Sequence, residues 1–445
     1  MTVLAAAAPP AEPIFSILRR IQKLATPTAL LAFLQIAAQL LETWIAARQG
    51  TAALAGWAVV LPFALLMQQM SAGAMGGGVV SAIARALGGN REQEASSLVL
   101  HAALIAIIGG GLFALVLAVF PLTLLGLIAG PVAAEAAAPY AIWLFGAGAI
   151  PLWLANTLAS VLRGGGRHGL AARVLTLGYI VYPPLSWLLA EPLGMGLAGI
   201  GAAFALVFWA SALAMVLVVL RGGAGFTPSL RIRPSGPLFT RILSVGLVAC
   251  ALASVANLTT ILVTAQIAHH GPAAVAAYGI AARLEFLMIP LAFGVGSALT
   301  ALVGRAVGAG DWQNGRRIAW TGGLLAFAMA GAAGLAVGLA PHTFASAFSD
   351  DPAVIEIAAR GLAYTGFAFG GFGLGMALYF AAMGAGRMRW AVVAAFSRIT
   401  IAVGGGWLLA NVAGMGLEGH FLGVALGITA YGLVTAIGVR PGVWR

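Results

Sequence analysis

Lysine and cysteine are nearly missing from this chain: Lys23 and Cys250 are the only examples in 445 residues. A single cysteine excludes an intrachain disulfide and any site built from several thiolates. A single lysine, placed ahead of the first long apolar run, leaves no GxxxxGK[ST] phosphate loop, so nucleotide hydrolysis is not the expected source of energy. Charge is scarce as well, with Asp, Glu, Lys and Arg at 8% and hydrophobic residues at 61%, whereas a soluble domain carries about 25% charged residues. A mean hydropathy of +1.01 points to lipid as the main solvent. The six histidines and twelve acids form no recognisable catalytic set, and no His pair, His269 and His270 included, has helical metal spacing. Neither an enzyme nor a resident metal or cofactor is expected.

Long apolar runs fill the space those absences leave. A helix crossing about 30 Å of hydrocarbon needs about 20 residues at 1.5 Å each. Twelve stretches meet that requirement, near 27–49, 51–75, 95–120, 136–162, 168–190, 196–220, 240–268, 273–300, 315–340, 355–383, 389–410 and 418–439. The expected fold is an all-α integral membrane protein, and 61 glycines suit helices whose backbones approach closely. The first run follows Glu12, Arg19, Arg20 and Lys23 without the short apolar region and cleavage site of a secretory signal, and is read as a retained helix. With the N-terminus inside, all but four of the 23 basic residues (Arg48, Arg283, Arg360 and Arg398) collect on one side, Arg231 and Arg445 among them. The positive-inside rule then predicts a multi-pass protein of a bacterial-type inner membrane with both termini cytoplasmic. The net charge of +11 is explained by this topology, since the basic residues are strewn along the chain instead of concentrated on a nucleic-acid-binding element.

The chain repeats itself. A shift of 220 residues lays SWLLAEPLGMGLAG, from Ser186, onto GWLLANVAGMGLEG, from Gly406. The same shift pairs Arg85 and Gly88 with Arg305 and Gly308, and Gly164 and Arg167 with Gly384 and Arg387. A constant offset through three separate segments implies a duplication of six helices. Because six is even, both halves enter the membrane in the same sense and are related by an axis along its normal. The expected domains are an N-lobe (1–220), a Pro- and Gly-containing cytoplasmic linker (221–239) and a C-lobe (240–445). Two bundles facing a cleft have the geometry of alternating access, and a secondary transporter driven by an ion gradient is the leading expectation.

An ionisable side chain at membrane depth costs about 2.5 kcal/mol or more on insertion scales, so each calls for a role. Glu42 shares a helix face with Gln35, Gln39 and Gln49, and that face is expected to line the cleft. Glu42 is then a carboxylate that takes a proton from one side and releases it on the other, or else a group near the outer end that pairs with Arg48. Helix-rise arithmetic puts Glu285 and Arg398 at one depth, roughly 18 Å from the outer boundary, which predicts a buried ion pair with Arg283 as the competing cation. A tight pair keeps Glu285 ionised and leaves Glu42 as the better cation-coupling group of the two. Pro62 and Pro290 each free a carbonyl and can serve as hinge or as simple kink. Asn257 and Thr260 form a polar face of the seventh helix, and Trp57, Tyr278, Phe286, Met288, Tyr364 and Tyr379 are candidate cleft contacts for flat organic cations, or else packing.

ETWIAARQGTAALAGWAVVLP from Glu42, AQIAHHGPAAVAAYGIAARLEFLMIP with the following LVGRAVGAGD, and GMGLAGIGAA from Gly194 resemble the multidrug and toxic compound extrusion (MATE) family in order and spacing. The resemblance covers nearly the whole chain. It implies export of cationic, amphipathic or drug-like molecules against H+ or Na+, by a chain acting alone among membrane lipids. Departures concern the coupling sites. Tyr182-Pro183-Pro184 stands where some members place an Asp before proline, the seventh helix carries Asn257 in place of an acid, and the tenth has no acid from Gly361 onward. The main rival is a flippase for lipid-linked precursors, which needs several basic residues in its cleft. A lipid-modifying membrane enzyme needs a clustered His/Asp set, and a passive channel does not require the duplication.

Overall fold

The computed structural model describes residues 12–229 and 233–444; Arg231 and Arg445 lie outside them. The chain is helical, and its long helices are α1 (Ile14–Arg48), α2 (Thr51–Gly88), α3 (Glu92–Ala118), α4 (Pro131–Ala147 and Ala149–Gly164), α5 (His168–Ala190), α6 (Gly196–Leu220), α7 (Gly236–His270), α8 (Pro272–Gly308), α9 (Trp312–Leu339), α10 (Pro352–Ala385), α11 (Arg389–Val412) and α12 (Leu417–Ile437). Among the described residues, ten are long and apolar enough to cross a membrane by themselves, and the two parts of α4, bent by 46°, meet the same requirement only together, for up to eleven spans. The remaining long helix, α5, carries His168 and Arg173 in its first turns. Short helices Pro121–Ala129 and Pro341–Ser346 start 220 residues apart, one after α3 and one after α9.

Several helices outrun the apolar stretches that predict them. α1 begins at Ile14, well before residue 27, because Pro27 sits inside the helix without ending it. α2 does not stop near residue 75: a π-helical stretch, Gln69–Met75, carries it into Gly76–Gly88. The glycines there provide seats for neighbours. A methyl group on Gly76 would stand 2.6 Å from Ser160 Oγ of α4, and one on Gly78 2.8 Å from the Gly246 nitrogen of α7.

The two repeats meet about a twofold relation that reaches single residues. A methyl on Gly88 would fall 2.1 Å from the Arg305 carbonyl oxygen, and one on Gly308 would fall 2.2 Å from the Arg85 carbonyl oxygen. Side chains cross in the same reciprocal way. Arg305 donates to the Gly165 carbonyl at 2.9 Å, while the Arg85 guanidinium closes on Gly386. Gly166 and Gly386, equivalent under the shift, both have positive φ, 78° and 70°, which lets the backbone turn tightly beneath these arginines. The lobes are thus sealed against each other at their basic face, and between the lobes at membrane depth lies a cavity.

Candidate functional site

The cavity measures about 400 Å³ and takes lining from both repeats, within the range of about 300–1,000 Å³ usual for small-molecule sites. Its walls are strongly aromatic: Tyr140, Tyr179, Tyr182 and Phe204 from the first repeat, Phe286, Phe293, Phe372, Tyr379, Phe380 and Tyr431 from the second. Two carboxylates and one cation line it, Glu42, Glu285 and Arg398.

α1 brings Gln35, Gln39 and Glu42 to the cavity on one face, as positions four and three apart require. Glu42 is 8% exposed. Its Oε1 accepts a hydrogen bond from Trp57 Nε1 at 2.9 Å and another from the Tyr140 hydroxyl, and Tyr182 stands against the same carboxylate. No cation pairs with it among the described residues. Arg48 is engaged elsewhere: its Nε donates to Glu191 at 2.7 Å, the carboxylate at the far end of α5, so the alternative pairing of Glu42 with Arg48 is not made. Deeper toward the basic face, Gln68 Nε2 donates to the Tyr179 hydroxyl at 3.2 Å, and Asn156 Nδ2 donates to Ser71 Oγ at 2.9 Å and Gln68 Oε1 at 3.4 Å. These groups extend the polar surface of the first repeat inward from Glu42.

On the opposite wall Arg398 donates to Glu285 with both side chains largely buried, 14% and 10% exposed. The guanidinium also lies 5.6 Å from the centre of the Phe372 ring. Arg283, two residues from Glu285, is exposed and makes no ion pair among the described residues, because a separation of two turns side chains to different faces. α8 is interrupted at Leu287, ahead of Pro290, and Phe286 and Pro290 on either side of the break both line the cavity. No comparable break follows from Pro62, which sits within a continuous helix.

Several candidate contacts lie elsewhere. Asn257 lines the cavity together with Leu252, Ala256 and Thr259 of α7, whereas Thr260 turns toward the Tyr278 hydroxyl. Tyr278 packs 6.4 Å from the Phe421 ring, and Met288 against the core of the second repeat. Tyr364 bonds Glu418 at 3.2 Å at the end of α12 where Arg360 also faces Glu418. Trp57 lies behind Glu42 as its donor and does not line the cavity; Tyr379 does line it. The functional group of Glu42 was only half visible in sequence: Tyr140 lies 98 residues away, and the one local signal for Tyr182 was the unusual Tyr-Pro-Pro. Among the described residues no group of three or more His, Cys, Asp or Glu could hold a metal ion.

Two like lobes around an aromatic cavity at membrane depth define a polytopic membrane transporter. The chain matches the MatE family model over residues 27–188 and again over 247–408, the second stretch displaced by 220 residues from the first. It belongs to the multidrug and toxic compound extrusion (MATE) family. Solved structures share its fold. A MOP superfamily transporter from Pyrococcus furiosus is 21% identical, with 97% of this chain and 98% of that chain covered and a TM-score of 0.88. The Vibrio cholerae MATE transporter VcmN in its bent form is 20% identical, with 96% and 97% covered and a TM-score of 0.88. An outward-facing multidrug resistance MATE family transporter is 21% identical, with 97% and 98% covered and a TM-score of 0.87. Among curated proteins none matches this chain.

Proposed function

We propose that this chain exports organic cations or amphipathic drug-like molecules in exchange for protons, acting as a single chain by alternating access in a bacterial-type inner membrane with both termini cytoplasmic. The observation that carries the reading is Glu42, a carboxylate in the shared cavity held by Trp57 and Tyr140 and paired with no cation among the described residues. An anion at membrane depth needs a counter-charge. A proton or a cationic substrate can each supply it, and supplying one makes the other superfluous, which is the physical content of exchange. Glu285 already has Arg398 and so has less need of either. The aromatic walls favour flat cations through their ring faces. With the basic face inside, the seal between Gly88 and Gly308 closes the cavity toward the cytoplasm, so substrate leaves and protons arrive from the outer side.

A flippase for lipid-linked precursors is less well supported, because among the described residues Arg398 is the one basic residue in the cavity lining and it is neutralised by Glu285. The deciding experiment is efflux of ethidium from proteoliposomes under an imposed pH gradient or an imposed Na+ gradient, for the parent and for Glu42→Gln and Glu285→Gln. Proton-coupled export predicts efflux driven by the pH gradient, lost in Glu42→Gln and retained in part in Glu285→Gln. Drive by Na+ alone, or full activity of Glu42→Gln, contradicts the proposal.

A further inference from the structure

A second recess lies away from the cavity, between α1 and α5 toward the basic face, with a volume of about 1290 Å³. Arg19, Arg20, Lys23 and Arg173 line it, and among the described residues no Asp or Glu does. Arg20 is occupied by Glu12 at 2.8 Å, whereas Arg19, Lys23 and Arg173 make no ion pair among the described residues. Beyond the basic end the groove continues along Leu30, Leu177 and Ile180, which are 64%, 65% and 56% exposed. α1 and α5 are held together beside it by the contact of Thr28 Oγ1 with His168 Nδ1 at 3.3 Å.

The order of chemistry along the groove is informative. α1 rises 1.5 Å per residue, so Leu30 stands about 10 Å nearer the membrane centre than Lys23. Three uncompensated cations therefore sit at one end of an apolar strip that runs deeper into the bilayer. Arg173 lies within α5, and its long stem can carry the guanidinium back toward the interface. Basic recesses between membrane helices on the cytoplasmic side suit anionic headgroups. A soluble anion would use the charged end only and leave the apolar strip without a function, while a zwitterionic lipid would bring its own cation against the arginines.

We propose that this groove binds one anionic phospholipid of the leaflet at the basic face. Lys23, Arg19 and Arg173 hold its phosphate, and an acyl chain lies along Leu30, Leu177 and Ile180. The site is separate from the transport cavity, but both use α1, which continues from the groove into Gln35, Gln39 and Glu42.

Native mass spectrometry of the detergent-purified full chain, equilibrated with equimolar phosphatidylglycerol and phosphatidylcholine, tests the proposal without reference to transport. The parent is expected to retain phosphatidylglycerol at least about fivefold over phosphatidylcholine. The triple variant Arg19→Gln, Lys23→Gln, Arg173→Gln, checked for monodispersity, should lose that preference. Leu177→Trp, which keeps every charge and fills the strip, should lower retention of both lipids. Equal retention of the two lipids by the parent overturns the proposal, as does an unchanged preference in the triple variant or unchanged retention in Leu177→Trp. Displacement of phosphatidylglycerol by millimolar inorganic phosphate would reassign the groove to a free anion.

Discussion

Glu42 and Glu285 face one cavity from opposite walls and differ in what answers their charge. Glu42 receives an indole N–H and a phenol O–H, both neutral donors; Glu285 receives a guanidinium. Hydrogen bonds to a charged group contribute about 1.5–3 kcal/mol, so Tyr140→Phe should lower pH-driven efflux by roughly tenfold or more while leaving the amount of folded protein unchanged; normal turnover would deny Tyr140 its part. For the ion pair the expectation concerns stability. Arg398→Ala leaves a buried carboxylate without its partner, a change that costs about 3–5 kcal/mol in comparable pairs, and should lower the melting temperature measurably in detergent. Replacing both partners, Glu285→Gln with Arg398→Gln, should recover most of that loss; additive losses would show the two groups do not act as a pair. Helix-rise arithmetic brought Glu285 and Arg398 to one depth, and spacing put Gln35, Gln39 and Glu42 on one face. Tyr140, Gln68 and Asn156 escaped such arithmetic because their roles depend on how separate helices are turned against each other. Thr260 shows the limit of spacing on one helix: Asn257 and Thr260 are three apart, yet Asn257 and Thr259 line the cavity and Thr260 does not, a distinction set by packing.

At the scale of helices, three of the four π-helical stretches among the described residues lie beside the cavity; the fourth, Leu408–Val412, does not. The π-helical stretch Gln69–Met75 contributes Gln69, Ala72, Gly73 and Ala74 to the cavity lining, Ile142–Ala147 begins two residues after Tyr140, and Thr400–Gly405 begins two residues after Arg398. Wide turns of this kind are frequent at functional sites, and hydropathy does not register them, since composition stays apolar through each one. α2 read as ending near residue 75, where the π-helical stretch carries it on into Gly76–Gly88, and α1 as starting near 27, where Pro27 sits inside a continuous helix. The reciprocal contact of Gly88 with Arg305 and Gly308 with Arg85 was legible only as two matching Arg and Gly pairs, not as a contact between them. Closure at the basic face depends on both. Gly88→Val should hold the lobes apart there, which spin labels at Asn90 and Gly310 in a Cys250→Ser background would report as a longer mean distance together with reduced efflux. An unchanged distance distribution would show the seal tolerates the added side chain.

The whole molecule is a duplication whose halves kept their packing and diverged in their chemistry. Glycines 88 and 308, 164 and 384, and 199 and 419 correspond at one offset, whereas Glu42 corresponds to Leu262, Tyr140 to Arg360, Glu285 to Leu65 and Arg398 to Gly178. The helical membrane architecture and the equivalence of the repeats were readable from the chain because both are statements about long apolar runs and a constant shift, and the family was readable from local motifs in order. The shape of the cavity was not, since it forms only where the two lobes face one another. The functional asymmetry follows: one lobe carries a carboxylate without a counter-cation, the other a carboxylate already neutralised.

That asymmetry is tested most directly by proton release. Purified protein in weakly buffered detergent solution, mixed with saturating tetraphenylphosphonium, should release close to one proton per chain, and Glu42→Gln should bind the cation without releasing any. Release that persists undiminished in Glu42→Gln, or that disappears in Glu285→Gln instead, would contradict the assignment of Glu42 as the group shared by proton and substrate.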